Sequence, residues 1–204
     1  MIHEWFVVHE GLVGAARLPS LVRSQRRVSA TEWLLLVSCG AAAAVTVGFV
    51  RLSLGVPGNA IVRAALPMAL GISLAPRRLG GSVMSAGACG TAWVLTLTGA
   101  TSFGSGSMVS LLLIGPMMDV ALRSARSGWR VYAALIASGI ATNLLALGSR
   151  AAVKVLGFDP GARPFDLWWL QALVTYPLSG AIAGLLGALC WFRLRDRTGR
   201  RPDA

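Results

Sequence analysis

One carboxylate stands inside a strongly apolar run: Asp119, within "LLLIGPMMDVALRSARSGWR" at 111–130. Ionisable residues in such a setting are functional suspects by default, because an unpaired charge in hydrocarbon is costly. Asp119 could pair with Arg123 one turn on, reach a neighbouring helix, or belong to a conformational switch. Pro116 cannot donate to the helix ladder and should bend the run, helped by Gly115. Together Pro116, Asp119 and Arg123 read as a structural and coupling group. Hydrolytic chemistry would need more. An aspartyl protease needs a second facing aspartate, and only Asp119 lies in a long apolar run. "GSGS" at 104–107 offers Gly-flanked serines, but the two histidines, His3 and His9, lie far from it in sequence, near the N-terminus. "HEWFVVHE" spaces its histidines by six, not the four of a zinc-binding helix. Cys39, Cys89 and Cys190 lack CxxC spacing and read as small buried apolar residues. The residues therefore predict no enzyme, no metal centre and no cofactor.

The elements that must position these residues follow from composition. Of 204 residues 55% are hydrophobic and 13% charged, against about 25% charged in an ordinary soluble domain. Mean hydropathy is +0.66. Net charge is +11, yet the cations form no face for nucleic acid. They lie in short clusters between uncharged runs at 33–50, 64–76, 79–118, 131–149 and 167–192. A helix needs roughly 20 apolar residues to cross the hydrocarbon core. The run 79–118 should hold two, broken at "TGATSFGSGSM" (98–108). The expectation is an all-α integral membrane protein with six transmembrane helices, at about 33–54, 59–76, 81–103, 107–123, 130–150 and 168–192.

Residues 1–30 read as an amphipathic interfacial helix followed by a basic linker, 31–195 as the transmembrane domain, and 196–204 as a basic cytoplasmic tail. Ser29 or Thr31 could cap the first span, with Glu32 complementing its N-terminus. Segments 1–32, 77–80, 123–130 and 193–204 hold fourteen arginines, whereas the opposite loops 51–58, 99–106 and 150–167 hold four Lys or Arg residues. That bias predicts both termini inside. Arginine outnumbers lysine 18 to 1 with abundant Ala and Gly, which reads as a GC-rich bacterial genome and hence a bacterial inner membrane.

The outer loops "RLSLGVPGNAIVR", "TGATSFGSGS" and "GFDPGARPFDLWW" are rich in Gly with Pro or Ser, and all fall on one side. They carry Arg51, Asn59, Arg63, Ser105, Arg163, Asp166 and Trp169, with Trp93, Asn143 and Tyr176 expected just beneath. Aromatic walls with a few polar groups make a small-ligand pocket; Trp168 and Trp169 equally suit an interfacial aromatic belt. Asn143 is a mid-span amide and needs a partner. Gly40, Ala44 and Gly48 in the first span, and Gly180, Gly184 and Gly187 in the last, are spaced for close helix approach. Either set could pack the bundle or dock a second membrane protein.

Six spans in about 170 residues, "GAAAAVTVG" in the first span, and the stretches "VPGNAIVRAALPMALG" and "SLLLIGPMMDVAL" resemble the substrate-binding membrane subunit (S component) of energy-coupling factor (ECF) transporters over about 31–195. The resemblance implies capture of a small vitamin-like molecule or precursor from outside. It implies a transmembrane coupling subunit and cytoplasmic ATPase subunits as partners, and toppling in the lipid bilayer. Gly40, Ala44 and Gly48 would be the docking face. The chain has no Walker A sequence, so ATP hydrolysis would come from the partners. Metal-transporting relatives begin Met-His; this chain begins "MIH". The alternative is a non-transporting integral membrane scaffold or assembly protein.

Overall fold

The computed structural model describes residues 29–50, 58–75, 79–124, 128–157 and 165–199. Residues 1–28, with the expected interfacial helix, lie outside the described residues. Six helices follow in order: α1 Ala30–Phe49, α2 Ala60–Leu74, α3 Gly80–Leu97, α4 Ser105–Ser124, α5 Gly128–Val155 and α6 Phe165–Gly199. No strand occurs among the described residues. Four helices (α1, α4, and the stretches Trp129–Val155 and Trp168–Trp191) are long and apolar enough to cross a bilayer, which suggests a multi-pass membrane protein. α2 is shorter at 15 residues, and α3 is diluted by four glycines and two serines.

Local chemistry sets the ends. Ser29 is extended at φ −67°, ψ 141°, and its hydroxyl accepts from the Thr31 amide, so α1 starts earlier than the uncharged run. The long run 79–118 breaks where Gly99 takes φ +70°, a conformation that disfavours any side chain. The α-helix resumes at Ser105. α5 runs on to Val155, so Arg150 and Lys154 sit on its final turns rather than in a loop. α6 is helical through Gly199, past the expected start of the tail.

The helices close a ring in which α1 touches α3, α3 touches α4, α4 touches α5, α5 touches α6, α6 touches α2, and α2 returns to α1. α2 also reaches inward to α3 and α4, and Ile61, Ala64 and Met68 on it are fully buried. Backbones meet at glycine. A side chain at Gly115 on α4 would collide with the Gly81 carbonyl of α3, and one at Gly139 on α5 with the Gly180 carbonyl of α6. The small ladder of the last span is thus used inside the bundle.

The small face of α1 is used the same way. A side chain at Gly40 would strike the Met84 backbone of α3, and one at Gly48 would meet Thr101 and Phe103. Ala44, one turn from each, is fully buried. Gly40 and Gly48 therefore approach α3 and the turn after it closely, with Ala44 buried between them; periodicity marks a close-approach face without saying which neighbour fills it. Ala44→Leu should overpack this contact and lower stability by about 1–3 kcal/mol, read as an earlier thermal unfolding of the purified chain in detergent. An unchanged melting temperature would place Ala44 at a yielding surface.

Candidate functional site

Two polar centres stand at opposite ends of the bundle. The first surrounds Asp119. Its side chain is 5% exposed, and its carboxylate accepts from the Gly81 amide at 2.9 Å, the Ser82 amide at 2.8 Å and the Ser82 hydroxyl at 2.7 Å. Gly81 and Ser82 are in the first turn of α3, whose own cap position is Leu79, without a capping side chain. The first amides of a helix have no partner within it, and the positive end of its dipole favours an anion. Asp119 supplies both needs from α4. The geometry shows Asp119 in contact with a neighbouring helix. Arg123 is exposed one turn on. Gly115, ahead of Pro116, gives its amide to the Ser85 hydroxyl at 3.0 Å, so the proline-bearing segment of α4, which continues as helix, is tied sideways to α3.

Arg63 does the converse for α1. Its guanidinium donates to the Val47 carbonyl at 2.9 Å, to the Val50 carbonyl, and to Asn59 Oδ1 at 2.9 Å. These carbonyls end α1, which has no basic residue in its last turn, and a cation there complements the dipole. Asn59 thus acts through Arg63. The Arg63 Nε is buried without an acceptor.

The second centre is built on Asn143 of α5, 1% exposed. Its amide nitrogen donates to the Tyr176 carbonyl of α6 at 2.7 Å and the Gly58 carbonyl at 3.2 Å. Gly58 has φ +87°, and a side chain there would press on the Tyr176 ring and the Asn143 amide, so only glycine fits this close approach. A side chain at Gly106 of α4 would stand 3.6 Å from the Tyr176 hydroxyl. One amide thus joins the turn before α2 to α5 and α6, with the start of α4 adjoining through Tyr176. Asn143 Oδ1 has no partner; nor have the hydroxyls of Thr142 and Thr175. An unmet buried acceptor costs about 1–3 kcal/mol, and Oδ1 is sealed inside the bundle. Nearby, Arg150 and Lys154 stand 6.0 and 5.1 Å from the Trp168 ring, which packs with Tyr176, Ala172 and Leu147.

Of the residues expected at the ligand site, Asn143 and Tyr176 touch, Ser105 opens α4 beside Gly106, and Trp169 packs against the Trp168–Tyr176 cluster. Asn59 and Arg63 start α2 just after Gly58. Asp166 stands in the first turn of α6. Trp93 is 63% exposed and faces away from the bundle interior. Arg51 and Arg163 lie outside the described residues. Gly58, whose carbonyl accepts from Asn143, carries no signal in the sequence that would place it at this centre.

Among the described residues no three His, Cys, Asp or Glu groups gather where they could hold a metal. The buried part of the Asn143 centre is a side-chain amide, backbone carbonyls and an aromatic ring, a mix of hydrogen-bonding and apolar groups. No family model, no curated protein and no solved structure matches the chain.

Proposed function

We propose that this chain is the substrate-capturing membrane subunit of an ECF-type importer for a small vitamin-like molecule or precursor. The carrying observation is the sealed Asn143 amide, with its oxygen uncommitted where the start of α2 meets α5 and α6. A buried acceptor without a partner, beside aromatic walls, suits a ligand that offers a donor and a flat apolar body. Energy must come from elsewhere, since no phosphate-binding loop is present in the sequence. A transmembrane coupling subunit and cytoplasmic ATPases fill that role. Their docking surface lies on faces other than the buried Gly40–Ala44 stripe.

In this reading all six helices cross the bacterial inner membrane with both termini inside. The Asn143 end then faces outward and the arginine clusters face the cytoplasm. In a cysteine-free background, Ala100→Cys should react with a membrane-impermeant thiol reagent from outside, and Ser124→Cys only after the membrane is opened. The opposite pattern would invert the topology and remove the capture site from the outer face. Purification in mild detergent should bring down P-loop ATPases with the chain. A chain recovered alone, at full yield and folded, would favour the scaffold alternative.

A further inference from the structure

The helix α4 begins without a capping side chain. The residue before it is Gly104, whose carbonyl receives the Ser107 and Met108 amides at 3.0 and 3.1 Å and which has no side chain to serve the amides of Ser105 and Gly106. Those two amides meet no acceptor among the described residues. At the other end of the bundle the same need on α3 is met by a carboxylate, Asp119. At α4 the neighbours are of the opposite kind. A Cβ on Gly106 would stand 3.6 Å from the Tyr176 hydroxyl and 3.7 Å from Arg150 Cβ, so α4, α5 and α6 meet there. Tyr176 is 2% exposed, and its hydroxyl has no hydrogen-bond partner among the described residues. It is nevertheless accessible, because the sealed unpartnered side-chain atoms of those residues are Arg63 Nε, Thr142 Oγ1, Asn143 Oδ1 and Thr175 Oγ1. Arg150 is half-buried, with its guanidinium 6.0 Å from the Trp168 ring, a contact that steadies it. Lys154, not Arg150, occupies the last turn of α5. The carboxylates whose side chains the structure describes, Glu32 and Asp119, belong to the opposite end.

We propose that this junction of α4, α5 and α6 binds the carboxylate of a small organic acid, between the first amides of α4, the Tyr176 hydroxyl and Arg150. The proposal rests on the reading of this end as a capture site and names the class of what is captured. The first amides of a helix are unserved from within it, and its dipole favours an anion there. Here they adjoin a phenol that can donate and a guanidinium that is charged at every physiological pH. Hydrogen bonds from such donors to a carboxylate are about twice as strong as those between neutral groups. A neutral ligand would leave the charge of Arg150 and the dipole unmatched, and a cation would be repelled by both. Gly106 puts no side chain between the amides and the other two groups. A ligand carboxylate would thus do for α4 what Asp119 does for α3. One guanidinium suits a single carboxylate better than a doubly charged phosphate.

Equilibrium dialysis of the purified chain in detergent tests the proposal, with radiolabelled benzoate as the probe and benzamide as its neutral isostere. The wild type should bind benzoate about tenfold more tightly than benzamide, or better. Arg150→Gln removes the charge and Tyr176→Phe only the hydroxyl; each should weaken benzoate about tenfold and leave benzamide unchanged. Tyr176→Phe carries the test if Arg150→Gln does not fold. Labelling with 3-fluorotyrosine locates the site, since the chain has two tyrosines. Benzoate should shift the fluorine resonance of Tyr176 and not that of Tyr132. Absence of benzoate binding, equal binding of benzoate and benzamide, or benzoate binding untouched by both variants would overturn the proposal. A compound that travels with the purified chain but carries no acid group would overturn it too, while leaving capture at this end standing. A chain that binds benzoate beside Tyr176 yet carries nothing from the cell would remove the capture reading and leave the carboxylate site in place.

Discussion

Asp119→Ala should be among the most destabilising substitutions in this chain, at about 3 kcal/mol or more. The carboxylate accepts three hydrogen bonds from the first turn of α3. Hydrogen bonds to a charged group contribute about 1.5–3 kcal/mol each, and donors left buried without a partner add their own penalty. Leu79 offers nothing in its place. Asp119→Asn keeps one acceptor oxygen but turns an N–H₂ toward the Ser82 amide, so its cost should be intermediate. The expected order of melting temperature in detergent is wild type, then Asn, then Ala. A chain of this length loses about 2–4 °C per kcal/mol, which puts the alanine variant roughly 6–12 °C lower. Ligand affinity should barely move. Gly106, beside the Tyr176 hydroxyl, is thirteen residues up α4 from Asp119, roughly 20 Å at 1.5 Å per residue. An alanine variant that melts with the wild type would show that the α3 cap contributes little.

Gly115→Leu should be worse still, because no rotamer avoids the clash. An added Cβ at Gly115 collides with the Gly81 carbonyl and approaches the Ser85 hydroxyl, and one at Gly81 collides in turn with the Gly115 carbonyl. The two backbones must separate. Doing so pulls Gly81 and Ser82 off Asp119, one turn further along α4. The expected cost exceeds that of ordinary overpacking, about 1–3 kcal/mol, and little folded protein should survive extraction. Gly115→Ala, the smaller intrusion, should fold at reduced stability. Because crossing and cap share one contact, Gly115→Ala with Asp119→Ala should cost less than the two single losses added. Strict additivity would mean that cap and crossing are independent.

These two residues also show what the sequence could and could not convey. The uncharged runs located the six helices of the described residues, since an apolar stretch between charged or glycine-rich breaks has few other ways to satisfy its backbone. Asp119 was visible as an oddity, but its partners are 37 and 38 residues away, and no local pattern encodes a cap contributed by another helix. Arg63 reads from sequence as a loop cation near a ligand; in the structure it caps the end of α1, sixteen residues back. Spacing marked Gly40, Ala44 and Gly48 as a close-approach face, yet the neighbour filling it is set by the tertiary ring. Trp93 shows the same ambiguity for aromatics, because a ligand wall and a lipid-facing belt use the same residue at the same depth. Asn143 was legible because a mid-span amide must find partners. That its nitrogen finds two while its oxygen finds none is a property of the packed bundle alone.

A small molecule held at the Asn143 centre should travel with the purified chain, and what the chain carries can be measured directly. The protein is purified in mild detergent, denatured, and its released small molecules are identified by mass spectrometry, beside Asn143→Leu treated identically. The account predicts one compound bearing an N–H or O–H donor, near stoichiometric with the wild type and strongly depleted in the variant. The same compound, added back, should raise the melting temperature of the wild type and not that of Asn143→Leu. A wild-type chain that carries nothing and is stabilised by no compound from a cell extract would contradict the account. So would a compound retained equally by the folded variant.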